Sequence, residues 1–180
     1  MAGELEAADQ IAAFKRSYAA TNLGLLVVQH PRREEIIEGI LGIDRGSMLR
    51  LGRRDNSYYG IDVWESLDAI SGEADFNLFF LAVWFMVVLS AVGDTATQYG
   101  YWDRTPELEM LRHLRNGVSH GDRFHLLRGA PKRPARFKNF EITPALHGSP
   151  VLFEFMSTGD LFDLLDCIDA NLRARVATHP

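Results

Sequence analysis

The chain has 180 residues, a length that suits one domain with a core large enough to fold without disulfides or metal. Hydrophobic residues make up 47% and charged residues 24%, which excludes a disordered or low-complexity protein. The lone cysteine, Cys167, excludes an intramolecular disulfide and a cysteine-based zinc finger, and we expect a packed thiol in a reducing compartment. The first residues lack the basic start and apolar run of a secretory signal, so we expect a cytoplasmic protein.

The first half of the chain is predicted to be mainly helical. Apolar residues recur at helical intervals over 4–30, and Pro31 ends that pattern. A short helix is predicted over 34–41. The segment 42–59 is rich in Gly, Arg, Asp, Asn and Ser and is predicted to be loop. Apolar residues spaced by three over 61–70 predict a short amphipathic helix that ends at Ser71-Gly72.

The segment 76–92 is the most apolar part of the chain, and two structures suit it. A helix that is apolar all round is either buried in a core or crosses a membrane. The run falls short of the roughly 18 to 20 apolar residues of a span, and Trp84 lies in its middle instead of at an interface. We therefore predict a buried central helix and no membrane association.

The second half is predicted to hold two helices with a hairpin between them. Pro106 suits the first turn of a helix over 107–120, which Gly121 closes. Strand-forming residues over 136–142 and 151–155 predict a small hairpin around 144–150. Ser157 and Asp160 form a capping-box pattern before a last amphipathic helix. The fold class is therefore predicted as mainly all-α, in one domain over 1–180.

The net charge of −5 hides an uneven distribution. The segment 112–138, here called the basic segment, carries +7, while the rest of the chain carries −12. Its one acidic residue is Asp122. Its eight basic residues are Arg112, Arg115, Arg123, Arg128, Lys132, Arg133, Arg136 and Lys138. Such a concentration of positive charge favours an anionic ligand.

The predicted helix over 107–120 has two different faces when its residues are placed about 100° apart. One face is apolar and is expected in the core: Met110, Leu111, Leu114 and Val118. The other is expected to be exposed, with Gly117 beside it leaving room for close approach: Glu109, Arg112, His113, Asn116 and His120. The simplest interpretation is a solvated helix face. Two histidines and an amide within the basic segment favour a functional one.

The residues Arg115-Asn116-Gly117-Val118-Ser119-His120 resemble the R-N-x-x-x-H signature of the HEPN superfamily, whose catalytic members are ribonucleases. The resemblance implies a small helical bundle with the motif on a late helix, and the helix order over 4–178 fits it. The predicted hairpin resembles an insertion found in some branches. Toxins of this superfamily that a nucleotidyltransferase antitoxin controls carry a tyrosine two positions after the histidine. This sequence has Asp122 there.

The resemblance implies a metal-independent endoribonuclease without a cofactor, acting as a toxin or defence effector. His120 would be the general base that deprotonates a ribose 2′-hydroxyl, since imidazole titrates near neutral pH. Arg115 would clamp the phosphate, and Asn116 would orient the imidazole or the phosphate. The candidate substrate-binding residues are Arg112, His113, Arg123, Arg133 and Arg136. RNA is the expected partner, and an antitoxin or other regulatory protein is a further candidate partner.

One geometric problem remains, because Arg115 and His120 lie about 140° apart on a continuous helix. Either the helix loosens over 117–121, or a second copy of the chain supplies the partner residue. The resemblance favours the second solution, a two-fold homodimer with facing motifs. His113 either assists catalysis or is simply exposed, and we favour exposure.

Three other interpretations stay open. A metal cluster of His120, Asp122 and His125 has no recognised ligand spacing, so we expect no metal. A non-catalytic HEPN-like module could bind nucleotide, RNA or protein through the same residues. A structural dimerisation domain would not need the polar face at all.

Overall fold

A computed structural model gives the fold and describes residues 2–72, 76–126 and 130–178. The chain is mainly helical, with two small antiparallel hairpins, in agreement with the predicted class. The elements are α1 (Ala2–Val28), a π-helix (Glu35–Ile40), β1 (Met48–Gly52), β2 (Tyr58–Asp62), α2 (Val63–Gly72), α3 (Phe76–Gln98), α4 (Pro106–Ser119), β3 (Arg136–Phe137), β4 (Phe140–Glu141), a 3-10 helix (Pro144–Leu146) and α5 (Thr158–Thr178). Arg128 of the basic segment lies outside the described residues.

The chain divides into two compact units, Met1–Arg16 with Leu81–Pro180, and Ser17–Phe80. The expectation of one domain stays a prediction. The larger unit contains α4, α5, the second hairpin and a continuous core. Its fully buried residues include Ile11, Phe85, Leu89, Met110, Leu111, Leu114, Leu161, Leu164 and Leu165.

The smaller unit contains a hairpin that the sequence analysis did not predict. β1 pairs with β2 from Met48 opposite Asp62 to Gly52 opposite Tyr58. The prediction of a loop over 42–59 was therefore wrong for 48–52 and 58–59 and is confirmed for 42–47 and 53–57. The turn forms because Asp55 accepts hydrogen bonds from the backbone N–H and the hydroxyl of Ser57. Every β1 residue is exposed, so no buried face imposes the alternation that normally marks a strand.

Helix α3 is long and apolar enough to cross a membrane, with a mean hydropathy of 1.9 over Phe79–Gln98, although the core helix of a soluble protein meets the same test. One face is buried through Phe85 and Leu89. The opposite face is exposed at Val83 and Val87. The predicted buried central helix is therefore confirmed for one face only, and 39% of the apolar stretch is buried.

The hairpin before the last helix lies earlier than predicted. β3 and β4 both fall within 136–142, where Lys138 adopts φ 52° and reverses the chain. The segment 151–155 takes part in one isolated bridge, Leu152 with Met156. The capping box is confirmed, since Asp160 accepts hydrogen bonds from the backbone N–H and hydroxyl of Ser157, at 3.0 and 2.6 Å.

Candidate functional site

Helix α4 carries the predicted motif, and it has a buried apolar face and a partly buried polar face. The apolar face is confirmed, because Met110, Leu111 and Leu114 are fully buried. The prediction that the polar face is exposed was wrong for Glu109 and His113, which are 0% and 5% exposed. The cause is the chain that follows α4, which turns back over this face and places β3 against the helix.

A cleft of about 520 Å³ lies between the polar face of α4 and the returning chain. Four basic side chains and one acidic side chain contribute to its wall, so its charge is strongly positive. The lining residues are Arg104, Glu109, Arg112, His113, Asn116, His125, Ala130, Lys132 and Arg133. A cleft of this size and charge fits one or two phosphorylated groups.

The wall of the cleft is organised around the buried carboxylate of Glu109. It accepts hydrogen bonds from the guanidinium groups of Arg104 and Arg112, the latter at 2.8 Å. Arg104 reaches it from the segment between α3 and α4, where its own backbone adopts φ 56°. Burial raises the pKa of Glu109, but the hydrogen bonds from Arg112 and Arg104 outweigh it and hold the pKa below its usual range. The carboxylate therefore stays charged and orients both arginines.

His113 holds Arg112 from the other side. Nη2 of Arg112 lies 2.8 Å from Nε2 of His113. A guanidinium group can only donate, so Nε2 accepts and the imidazole proton lies on Nδ1. Burial, with a further contribution from the positive charge of Arg112, lowers the pKa of His113 to about 4. His113 is therefore a neutral residue that positions Arg112, which corrects the expectation that it is exposed.

Arg115 points away from the cleft, toward α3. Its Nε lies 2.9 Å from Oδ1 of Asp94, and its Nη2 contacts the same oxygen. Gly93 makes this arrangement possible, since a Cβ atom there would lie 2.5 Å from Cγ of Arg115. Nη1 of Arg115 also donates to Oδ1 of Asn116 at 3.3 Å. Because Asn116 lines the cleft, it connects Arg115 to the edge of that cleft.

The end of α4 places His120 outside the regular helix. α4 ends at Ser119, and His120 has φ −108° and ψ 35°. Gly121 and Asp122 then take φ 75° and 61°, which reverses the chain. The 140° separation expected for a continuous helix thus does not apply to His120. Even so, no hydrogen bond joins Arg115 and His120 among the described residues.

Close packing fixes the returning chain against α4. The carbonyl of Gly117 accepts hydrogen bonds from the backbone N–H groups of His120 and Arg123, both at 3.1 Å. A Cβ atom on Gly117 would lie 2.4 Å from Cγ2 of Val151. The space beside Gly117 is therefore occupied by the side chain of Val151 and is not open to a ligand. Asp122 accepts a hydrogen bond from Leu152 N–H at 2.9 Å, which ties the chain reversal to the segment that follows.

Three histidine rings follow one another beside the cleft. The ring centroids of His120 and His125 lie 5.2 Å apart, and those of His125 and His147 lie 5.8 Å apart. Nδ1 of His147 accepts the backbone N–H of Leu126 at 3.1 Å. In the part of the chain that the structure describes, no group of three His, Cys, Asp or Glu side chains is arranged to hold a metal ion.

Comparison with known proteins gives no indication of the function of this chain. No family model, no curated protein and no solved structure matches this chain. The resemblance to the HEPN superfamily therefore rests on the motif of six residues and on the order of the helices.

The structure brings part of the predicted site together. Arg112, His113, Asn116 and Arg133 all line the cleft. Arg115 and His120 do not line it, but Arg115 donates to Asn116 and the ring of His120 lies 5.2 Å from that of His125, which does. Two predicted substrate-binding residues lie elsewhere: Nη1 of Arg123 donates to the carbonyl of Gly148 at 2.7 Å, and Arg136 is exposed on β3.

Other cleft residues were missed by sequence reasoning. Arg104 precedes the basic segment, and only the folded loop before α4 brings it to Glu109. His125 was considered only as a metal ligand. Lys132 belongs to the basic segment and could have been included on charge alone. One feature of the sequence could have indicated His125: it follows His120 by five positions, and Gly121 between them allows the chain to reverse.

Proposed function

We propose that this protein is a metal-independent endoribonuclease that acts as a toxin or defence effector. The observation that carries the proposal is the basic cleft, which is lined by Asn116 and His125. Arg115 donates a hydrogen bond to Asn116, and the ring of His120 lies 5.2 Å from the ring of His125. Basic side chains would hold the phosphates of an RNA strand, and the three residues of the motif would act on one phosphodiester.

Each residue of the motif has a role that fits its surroundings. His120 is exposed and accepts the proton of the ribose 2′-hydroxyl, so that the 2′-oxygen attacks the adjacent phosphorus. Arg115 stabilises the negative charge that develops on the phosphoryl oxygens. Its partner Asp94 is exposed, and exposed ion pairs are worth only about 0–1 kcal/mol, so a phosphate can replace the carboxylate. The products are a 2′,3′-cyclic phosphate and a 5′-hydroxyl.

A cleavage assay tests the proposal. Labelled total RNA is incubated with the protein in EDTA, and the products are resolved and their ends identified. Arg115→Ala and His120→Ala should each slow cleavage by roughly a hundredfold or more, the scale of losing one charge-stabilising or proton-transfer group. Folding should persist, because neither side chain is buried in the core. Full activity of His120→Ala would show that cleavage does not depend on the motif, and the proposed mechanism would be wrong.

The expected two-fold dimer has its own test. The two inactive variants are mixed at equal concentration and assayed on the same RNA. If the motifs meet across a two-fold axis, heterodimers contain one intact site and part of the activity returns. If one chain builds the whole site, the mixture stays inactive, and the dimer prediction is wrong while the catalytic assignment stands.

The cleft offers a matched pair of charge reversals. Arg133 lines the cleft and Arg136 does not, although both belong to the basic segment. Arg133→Glu should weaken RNA binding more than tenfold and reduce its salt dependence, because fewer phosphate counterions are released. Arg136→Glu makes the same change in net charge and should have the smaller effect. Equal losses for both variants would mean that the cleft is not the RNA site.

The second candidate function is a non-catalytic module that binds nucleotide, RNA or a partner protein. The pairing of Arg115 with Asp94 favours it, since a guanidinium group that remained on the carboxylate could not serve the transition state. Turnover separates the two candidates. Such a module would bind RNA with the same dependence on Arg133 and would release no cyclic phosphate.

A further inference from the structure

The proposed reaction needs a second proton transfer that the motif does not supply. When the 2′-oxygen forms its bond to phosphorus, the bond from phosphorus to the 5′-oxygen breaks. The departing alkoxide is strongly basic and leaves faster when a general acid protonates it. His120 takes up a proton in this step and cannot give one at the same moment.

His125 occupies the place where such an acid is needed. Its exposed ring lines the cleft and lies 5.2 Å, centroid to centroid, from the ring of His120. Both imidazoles can therefore reach the same phosphodiester. Within the described residues no hydrogen bond holds the His125 ring, so both of its nitrogens are available to a substrate.

The neighbouring histidines are already engaged. Nε2 of His113 accepts a hydrogen bond from Arg112 inside the protein. Nδ1 of His147 accepts the backbone N–H of Leu126, and His147 is not among the residues that line the cleft. His125 differs from both in lining the cleft with a ring that has no hydrogen-bond partner in the described part of the chain.

We propose that His125 is a second catalytic residue, the general acid that protonates the 5′-oxygen leaving group. This inference rests on the proposed ribonuclease function. The proton of the 2′-hydroxyl passes to His120, and the proton of the His125 imidazolium passes to the 5′-oxygen. One phosphorus–oxygen bond forms and one breaks. His120 ends protonated and His125 neutral, and exchange with water resets the pair.

The experiment compares two leaving groups. A dinucleotide with an ordinary phosphodiester is set against the same dinucleotide with sulfur in place of the bridging 5′-oxygen. A thiol is far more acidic than an alcohol, so the thiolate leaves without a proton donor. His125→Ala should cleave the oxygen substrate roughly a hundredfold more slowly than the unaltered protein. It should cleave the sulfur substrate at a rate within a few-fold of the unaltered protein.

Two variants complete the design. His120→Ala should be slow on both substrates, because both need the 2′-hydroxyl to be deprotonated. His147→Asn keeps an acceptor for the Leu126 N–H and removes the third imidazole, and it should behave like the unaltered protein on both. Circular dichroism confirms that each variant is folded.

The outcomes separate this inference from the proposed function. Unchanged cleavage of the oxygen substrate by His125→Ala overturns the general-acid role alone, and so does an equal loss on both substrates, which indicates a structural role. If the unaltered protein cleaves neither dinucleotide nor RNA, the ribonuclease proposal fails and the role of His125 fails with it.

Discussion

Two carboxylates, Glu109 and Asp94, hold the arginines on α4 and in the segment before it in different ways. Glu109 is fully buried, and it fixes Arg104 and Arg112 in the wall of the cleft. Asp94 is 56% exposed, and it holds Arg115 beside the cleft at the surface. Carboxylate–arginine pairs are thus formed both by a buried carboxylate and by an exposed one.

The difference in exposure predicts a difference in role. A buried carboxylate is costly to leave without partners, so the Glu109 pairs form a fixed wall. An exposed pair is screened by water and salt, so Arg115 can exchange Asp94 for a phosphate. In the proposed ribonuclease, the wall would position the substrate, whereas the exchangeable arginine would meet the reacting phosphate.

The largest expected effect on stability comes from removing the buried carboxylate. Glu109→Ala should lower the free energy of unfolding by about 2–4 kcal/mol at pH 7, because two charged hydrogen bonds are lost and two arginines face each other unpaired. Urea unfolding measures the change. Glu107→Ala, two positions earlier on the same helix, is the control and should change stability by less than about 1 kcal/mol. Equal losses for Glu109→Ala and Glu107→Ala would mean that the burial and pairing of Glu109 do not contribute to stability.

The free energy of unfolding should fall at acidic pH because of His113. Its pKa falls from 6.5 to about 4 in the folded protein, so the neutral form is bound within the wall. The contribution of neutral His113 to the free energy of unfolding is complete above pH 6.5, the pKa of the imidazole in the unfolded chain. It is lost as pH falls from 6.5 toward 4. Between pH 7 and pH 5 the loss should be roughly 2 kcal/mol.

The variant His113→Gln isolates this contribution, since the difference between the two proteins cancels the other titrating groups. Urea unfolding at both pH values gives the comparison. A difference between the two proteins that is the same at pH 7 and pH 5 would show that His113 titrates alike in the folded and unfolded states.

The smallest effect is expected at the surface. Asp94→Asn should change the free energy of unfolding by less than about 1 kcal/mol, because solvent screens the pair with Arg115. Asp163→Asn breaks the exposed pair with Lys138 and is a matched control. A loss for Asp94→Asn as large as that for Glu109→Ala would mean that Arg115 is fixed and unavailable to a phosphate.

Local patterns made much of the fold predictable. The apolar face of α4 and the capping box of Ser157 and Asp160 each depend on residues three or four positions apart. The polar face of α4 was misjudged because its cover comes from a chain reversal at Gly121 and Asp122. Periodicity within a helix carries no information about what the following chain will bury.

The candidate site was predictable to a similar extent. The basic segment and the motif located it on one helix, and Arg112, Asn116 and Arg133 do line one cleft. The long-range pairing of Arg104 with Glu109 could not be foreseen, since it depends on the folded segment between α3 and α4.

In the proposed reaction the 2′-hydroxyl is the nucleophile, and His120 activates it. The most direct measurement uses a DNA oligonucleotide that contains a single ribonucleotide, incubated with the protein in EDTA. We predict one cleavage, directly after the ribonucleotide, with a 2′,3′-cyclic phosphate end, and we predict none after 2′-O-methylation of that sugar or with His120→Ala. Cleavage of the methylated strand would show that the 2′-hydroxyl is not the nucleophile, and cleavage that persists in His120→Ala would show that His120 does not activate it.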